Sequence, residues 1–116
     1  MRLRSDVWVA AYLRRCGAEG QSAALRRRGA AEAGAIFVKI DRLDGHSTLY
    51  APAPQSAISA APEPGVERLF VRAHKSEWIE SAEAEKRLER EVAFDPDVWI
   101  VEVEDRKGRA WLDLAL

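Results

Sequence analysis

AIFVKIDRLDGHSTLYA, residues 35–51, decides the fold of this chain. Ile36, Phe37, Val38 and Ile40 form a β-branched and aromatic run of strand length. Asp44-Gly45 follows as a tight-turn signal of the type I′ kind, and His46 to Ala51 runs back. The reading is an antiparallel hairpin. Two strands alone cannot exclude water, so the remaining chain must supply partners and cover.

The second strong strand is Asp97 to Asp105, with Trp99, Val101 and Val103 on one face and Val98 and Ile100 opening the other. Arg106 to Arg109 carries a glycine suited to a turn, and Ala110 to Leu114 is expected to close a second hairpin. Val66 to His74 reads as a further strand. Gln21 to Arg28 is a weaker one, because alanine and arginine favour helix. The stretch 52–65 holds four of the five prolines and reads as an irregular connection.

Two segments have helical periodicity. From Asp6 to Ala18, Val9, Tyr12, Leu13 and Cys16 fall on one apolar stripe, with Ser5 as the expected N-cap and Gly17 and Gly20 as stops. The alternation Val7, Val9, Ala11, Leu13 also permits a strand there. Within Trp78 to Phe94, Ala84, Leu88 and Val92 form the buried seam and Ser81 is the expected N-cap; Asp95-Pro96 ends the helix. The order α-β-β-β-β-α-β-β implies a mostly antiparallel sheet. The expected fold is a single α+β domain over residues 1–116 with both helices packed on one face.

With 116 residues, 47% of them hydrophobic and 32% charged, one modest core and a soluble surface are expected. No apolar run approaches the roughly 20 residues of a membrane helix, and MRLRSDVWVA lacks the h-region of a signal peptide, so a cytoplasmic protein without membrane contact is expected. One cysteine, Cys16, rules out an internal disulfide and a multi-cysteine metal site. The net charge of −1 conceals an asymmetry. Residues 1–42 carry nine Lys/Arg against four acids, and residues 43–116 carry nine against fifteen. These halves could serve separate charged partners, face one another across a dimer, or neutralise one another within the fold.

AYLRRC (11–16), RRGAAEAGAIFVKI (27–40), LYAPAPQ (49–55) and LEREVAFDPDVWIVEVEDRKGR (88–109) resemble a family of short alphaproteobacterial proteins, domain of unknown function 1491. The resemblance spans nearly the whole chain and implies a bacterial protein. It carries no activity, cofactor or catalytic residue to transfer.

The residues themselves give no catalytic signature. No P-loop, dinucleotide fingerprint, G-x-S-x-G or zinc-protease motif is present, and no cofactor is implied. His46 and His74 lack partners at metal-ligand spacing; Glu102, Glu104 and Asp105 read as a solvated strand end, and no metal site is expected. Cys16 lies on an apolar stripe, where a thiol is an inert small hydrophobe. Arginines are the most suggestive feature. Arg14, Arg15, Arg26 and Arg28 are the anion-binding candidates, with nucleic acid as one such ligand and Trp8 and Tyr12 nearby as stacking platforms. Strand alternation sets Arg27 opposite Arg26 and Arg28. The leading expectation is a non-catalytic protein-interaction module, acting as a homodimer, with Trp78 and Trp111 as interface candidates. Anion binding is the alternative, and a small enzyme using a carboxylate or His74 is a third reading.

Overall fold

A computed structural model describes residues 3–54 and 68–115. Its elements are α1 (Ser5–Ala18), β1 (Ser22–Arg27), β2 (Ile36–Asp41), β3 (His46–Pro52), β4 (Phe70–Arg72), β5 (Ile79–Glu80), α2 (Ser81–Phe94) and β6 (Trp99–Glu104). The sheet order is β1-β6-β2-β3-β4, with β5 pairing β3. Every pairing is antiparallel except β2 with β6. The α+β class and the mostly antiparallel sheet therefore hold. Among the described residues no helix is long and apolar enough to cross a membrane.

The hairpin 35–51 forms with Val38 opposite Tyr50 and Ile40 opposite Thr48. Its turn differs from a two-residue type I′ turn: the Arg42 amide donates to the His46 carbonyl, and Leu43 and Gly45 take positive φ of 66° and 90°. Three residues thus close the loop, and the reversal lies one residue wider than Asp44-Gly45 alone.

The second expected hairpin does not form. β6 instead occupies the slot between β1 and β2, because its apolar residues on both faces are best buried at the centre of a sheet. Residues 110–114 cannot return along β6. Gly108 and Trp111 both take positive φ, which turns the chain away. The C-terminal segment crosses to β4, where the Phe70 amide donates to the Asp113 carbonyl and the Ala115 amide to the Phe70 carbonyl. β4 itself is shorter than the strand expected over 66–74, whose first two residues lie outside the described residues, as does 55–65 of the expected connection.

The helices cover opposite faces of the sheet rather than sharing one. Val9, Tyr12 and Cys16 of α1 pack on Ile36, Val38, Ile40, Trp99, Val101 and Val103. Leu88 and Val92 of α2 pack on Phe37, Leu49, Val98 and Ile100. The cause is the central strand: β2 is buried on both faces, and each face needs its own cover. The apolar seams of both helices match the periodicity of the sequence.

Neither expected serine N-cap acts as one. Ser5 is already inside α1 and buried, and its hydroxyl donates to the Gly34 carbonyl at 2.7 Å. Ser81 is likewise the first residue of α2 and shares a hydrogen bond at 2.7 Å with the Ser47 hydroxyl. Both hydroxyls are spent on tying a helix start to a neighbouring segment. Gly29 has a comparable role, since a Cβ there would collide with the Asp97 carbonyl and the Trp99 ring.

Candidate functional site

β1 follows the antiparallel register of β6 from Ser22 opposite Glu104 to Leu25 opposite Val101, and then Arg27 falls opposite Ile100. The intervening extra residue is a β-bulge, which shifts the facing of everything after it. Leu25 shares the α1 side with Val101, whereas Arg27 shares the α2 side with Ile100. Arg26 also reaches the α2 side, where it meets Glu85 and Glu102. The bulge thus overturns the alternation expected from a regular strand: Arg26 and Arg27 lie together, and Arg28 turns back with its guanidinium 5.1 Å from the Trp99 ring.

Beside this bulge four charges interlock. Arg26 places its two terminal nitrogens on Glu85 at 2.7 and 2.8 Å and donates to Glu102 at 2.9 Å. Lys39, only 5% exposed, donates to Glu85 at 2.7 Å and lies 3.6 Å from Glu102. Two cations from the basic half of the sequence are thereby neutralised by two carboxylates from the acidic half. The Arg26 hydrogen bonds, reinforced by Lys39 and opposed by partial burial, hold the Glu85 carboxyl at about 2. Glu85 is therefore a fixed anion near neutral pH and no proton donor.

An open groove of about 400 Å³ runs between β1 and α2. Leu88, Val92 and Ile100 form its apolar lining; Arg26 and Arg27 stand on one side, Glu85 and Glu89 on the other. Arg27 donates from Nη2 to the Pro96 carbonyl at 2.8 Å, while its Nε is buried without a hydrogen-bond partner among the described residues. No carboxylate of the described residues forms an ion pair with Arg27, in contrast to Arg26. Two positions beyond Val92, at the end of α2, Phe94 is 89% exposed.

The four arginines singled out from sequence do not converge. Arg14 is exposed on α1. Arg15 pairs with Glu19 at 3.5 Å and stacks over Trp111 at 5.0 Å. Arg26 belongs to the charge network, and Arg28 lies across the sheet from it. The two tryptophans are half-buried under arginines of the same chain. Arg42 sits 4.1 Å above Trp78, and Arg15 and Arg109 flank Trp111, whose indole N–H donates to Gln21 at 2.8 Å.

The remaining polar candidates also have structural partners. Asp105 accepts from Arg109 at 2.9 Å and from Gln21 at 3.1 Å, which holds its carboxyl well below the usual range and pins the 105–109 turn. Glu102 faces the charge network, so the acids at the end of β6 do not gather. No group of three metal-ligating side chains occurs among the described residues. His46 is exposed beside Asp44, while His74 accepts from the Leu49 amide through Nε2 at 3.0 Å and bonds the Ser76 carbonyl through Nδ1 at 2.7 Å. Cys16 is fully buried, and burial pushes its thiol up. Trp8 and Tyr12 stack at 5.0 Å against Phe70, and the Tyr12 hydroxyl donates to the Ala110 carbonyl.

Lys39, Glu85, Arg27 and Phe94 were not among the sequence candidates. Two carried a readable signal. Lys39 interrupts the apolar run IFVKI, and a lysine buried on a central strand requires carboxylates. Phe94 lies off the 84-88-92 seam by two residues, which turns an aromatic ring away from the core.

The fold and this groove define a small mixed-sheet α+β domain with a charged, apolar-lined cleft between its edge strand and its second helix. The chain belongs to the family described as protein of unknown function (DUF1491), whose model matches residues 3–113. It is similar to the crystal structure of a DUF1491 family protein from Caulobacter crescentus CB15, at 35% identity, TM-score 0.78 and 98% coverage of both chains. It is also similar to the solution structure of a protein from A. tumefaciens, at 41% identity and TM-score 0.78, covering 98% of this chain and 95% of that one. No curated protein matches it.

Proposed function

We propose that this chain is a non-catalytic protein-interaction module that acts as a homodimer, with the α2–β1 groove and the adjoining end of α2 as its working face. The observation that carries the reading is the open groove itself, an apolar lining of Leu88, Val92 and Ile100 rimmed by Arg26, Arg27, Glu85 and Glu89. An apolar cleft open to solvent and rimmed by charged side chains suits association with a partner. The neighbouring charges support binding over proton transfer, because Glu85 is held as an anion by Arg26 and Lys39 and has no proton to exchange near neutral pH. The reading places the protein in the cytoplasm, which suits a chain whose one thiol, Cys16, is free and buried.

Native mass spectrometry of the protein over a micromolar concentration series tests this. A dimer that dissociates on dilution is the expected result. A monomer at every concentration overturns it.

A further inference from the structure

We propose that His74 is a pH-operated latch: its neutral imidazole stands in for a missing strand partner on β3, and protonation releases residues 73–78 from the sheet. One edge of β3 has two partners, β5 against His46 and Ser47, and β4 against Tyr50, Ala51 and Pro52. Thr48 and Leu49 lie in the gap between them. The Leu49 carbonyl accepts the Ala73 amide at 2.9 Å, and in a regular antiparallel ladder the Ala73 carbonyl would accept the Leu49 amide in return. That carbonyl accepts instead from Arg87 of α2 at 3.0 Å, and the Leu49 amide donates to Nε2 of His74 at 3.0 Å. Side chains hold the rest of the segment. Arg72 donates to the carbonyls of His74 and Lys75, and Thr48 donates to that of Glu77. The imidazole is thus the acceptor that closes the ladder.

Two neighbours fix the protonation state of this acceptor. The Ser76 carbonyl only accepts, so Nδ1 carries the proton that it receives at 2.7 Å, and Nε2 keeps a lone pair for Leu49. A second proton has only Nε2 to land on. One donor then points at another, and the amide of the buried Leu49 is left without an acceptor, which costs more than the lost bond contributed. Surrounding charge also opposes the imidazolium. Arg72 on β4 and Arg87 on α2 face the ring, and both are cations. Glu83 is occupied by Arg87 at 3.2 Å, Lys75 and Glu77 lie on the ring's own segment, and Tyr50 follows Leu49 on β3. Among the described residues no carboxylate pairs with His74, whereas His46 has Asp44. Leaving the sheet relieves both penalties. Because Arg87 bonds the Ala73 carbonyl, the latch bears directly on α2, one wall of the groove.

Amide hydrogen exchange of the full chain, followed by two-dimensional NMR from about pH 7.5 to about pH 5.5, tests this above the range in which carboxylates ordinarily titrate. Corrected for the intrinsic rate, protection of the Leu49 amide should fall about tenfold per pH unit below the ring's ordinary 6.5, until the folded ring is itself protonated. Val101, paired on both sides at the sheet centre, should hold constant. His74→Gln offers Leu49 an amide oxygen that does not titrate, so its Leu49 protection should be flat with pH, and His46→Gln should keep the wild-type fall. Leu49 protection that is flat in the wild type, or that falls in step with Val101, overturns the latch without recourse to any variant. So does a fall that survives His74→Gln. None of these outcomes depends on the oligomeric state.

Discussion

Arg26 and Arg27 are neighbours in the chain and stand on the same side of the sheet, the first bonded to Glu85 and the second to the Pro96 carbonyl. In a regular strand they would face apart. The bulge after Leu25 brings them together, and it does so at an edge strand, where a bulge and charged side chains also discourage indiscriminate strand pairing.

Loss of Glu85 should be felt mainly by Lys39. Glu85→Gln leaves a buried ammonium with only the more distant Glu102, 3.6 Å away. The expected cost is about 1–2 kcal/mol in urea denaturation at pH 7, below that of a fully buried pair because Glu85 is partly in water. The sign with pH follows from the lowered carboxyl. Its contribution is complete above the ordinary value of 4.5 and is lost as pH falls toward about 2. The variant should therefore show a shallower acid limb than the wild type; parallel curves would contradict the network's role.

His74 should titrate below its ordinary 6.5, chiefly because it is partly buried, with Arg87 and Arg72 acting in the same direction and the Ser76 carbonyl opposing. Its Nε2 accepts the Leu49 amide, so the neutral ring with the proton on Nδ1 is the folded form. Stability from this group is fully present above 6.5 and declines as pH falls through the lowered folded value. Two-dimensional NMR of the imidazole nitrogens checks both tautomer and midpoint. A midpoint above 6.5 would contradict the geometry.

Two glycines should respond oppositely to alanine. Gly29→Ala drives a methyl group into the Asp97 carbonyl and the Trp99 ring, and should cost about 1–3 kcal/mol. Gly17 has open space around its Cβ position and lies within α1, so Gly17→Ala should stabilise by about 0.5–1 kcal/mol. Thermal unfolding of the pair decides the matter, and equal shifts would be inconsistent with the close approach at Gly29.

Trp99 is 1% exposed and donates its indole N–H to the Ala30 carbonyl at 2.8 Å. Trp99→Ala should cost about 3–5 kcal/mol, a large share of the stability of so small a domain. Urea denaturation measures it, and a loss under about 1 kcal/mol would place Trp99 outside the core.

The amino-acid sequence by itself determined the local pieces. Apolar periodicity located both helices and their buried seams: Val9, Tyr12 and Cys16 share one face in a helix and not in a strand, and Ala84, Leu88 and Val92 repeat every four residues. β-branched and aromatic runs located β2, β3 and β6. The pairing of the charged halves was legible only as one of several alternatives.

What the tertiary structure decided were the relations between pieces. β6 went between β1 and β2, not back along residues 110–114, because burial on both its faces outweighed the local hairpin that Gly108 suggested. The helices parted to opposite faces because β2 is apolar on both. Arg27 joined Arg26 through a one-residue slip in strand register, and Lys39 met Glu102 across the parallel pairing of β2 with β6. Such a slip has no signature in the identity of any single residue, because it is set by how two strands distant in sequence fit against each other.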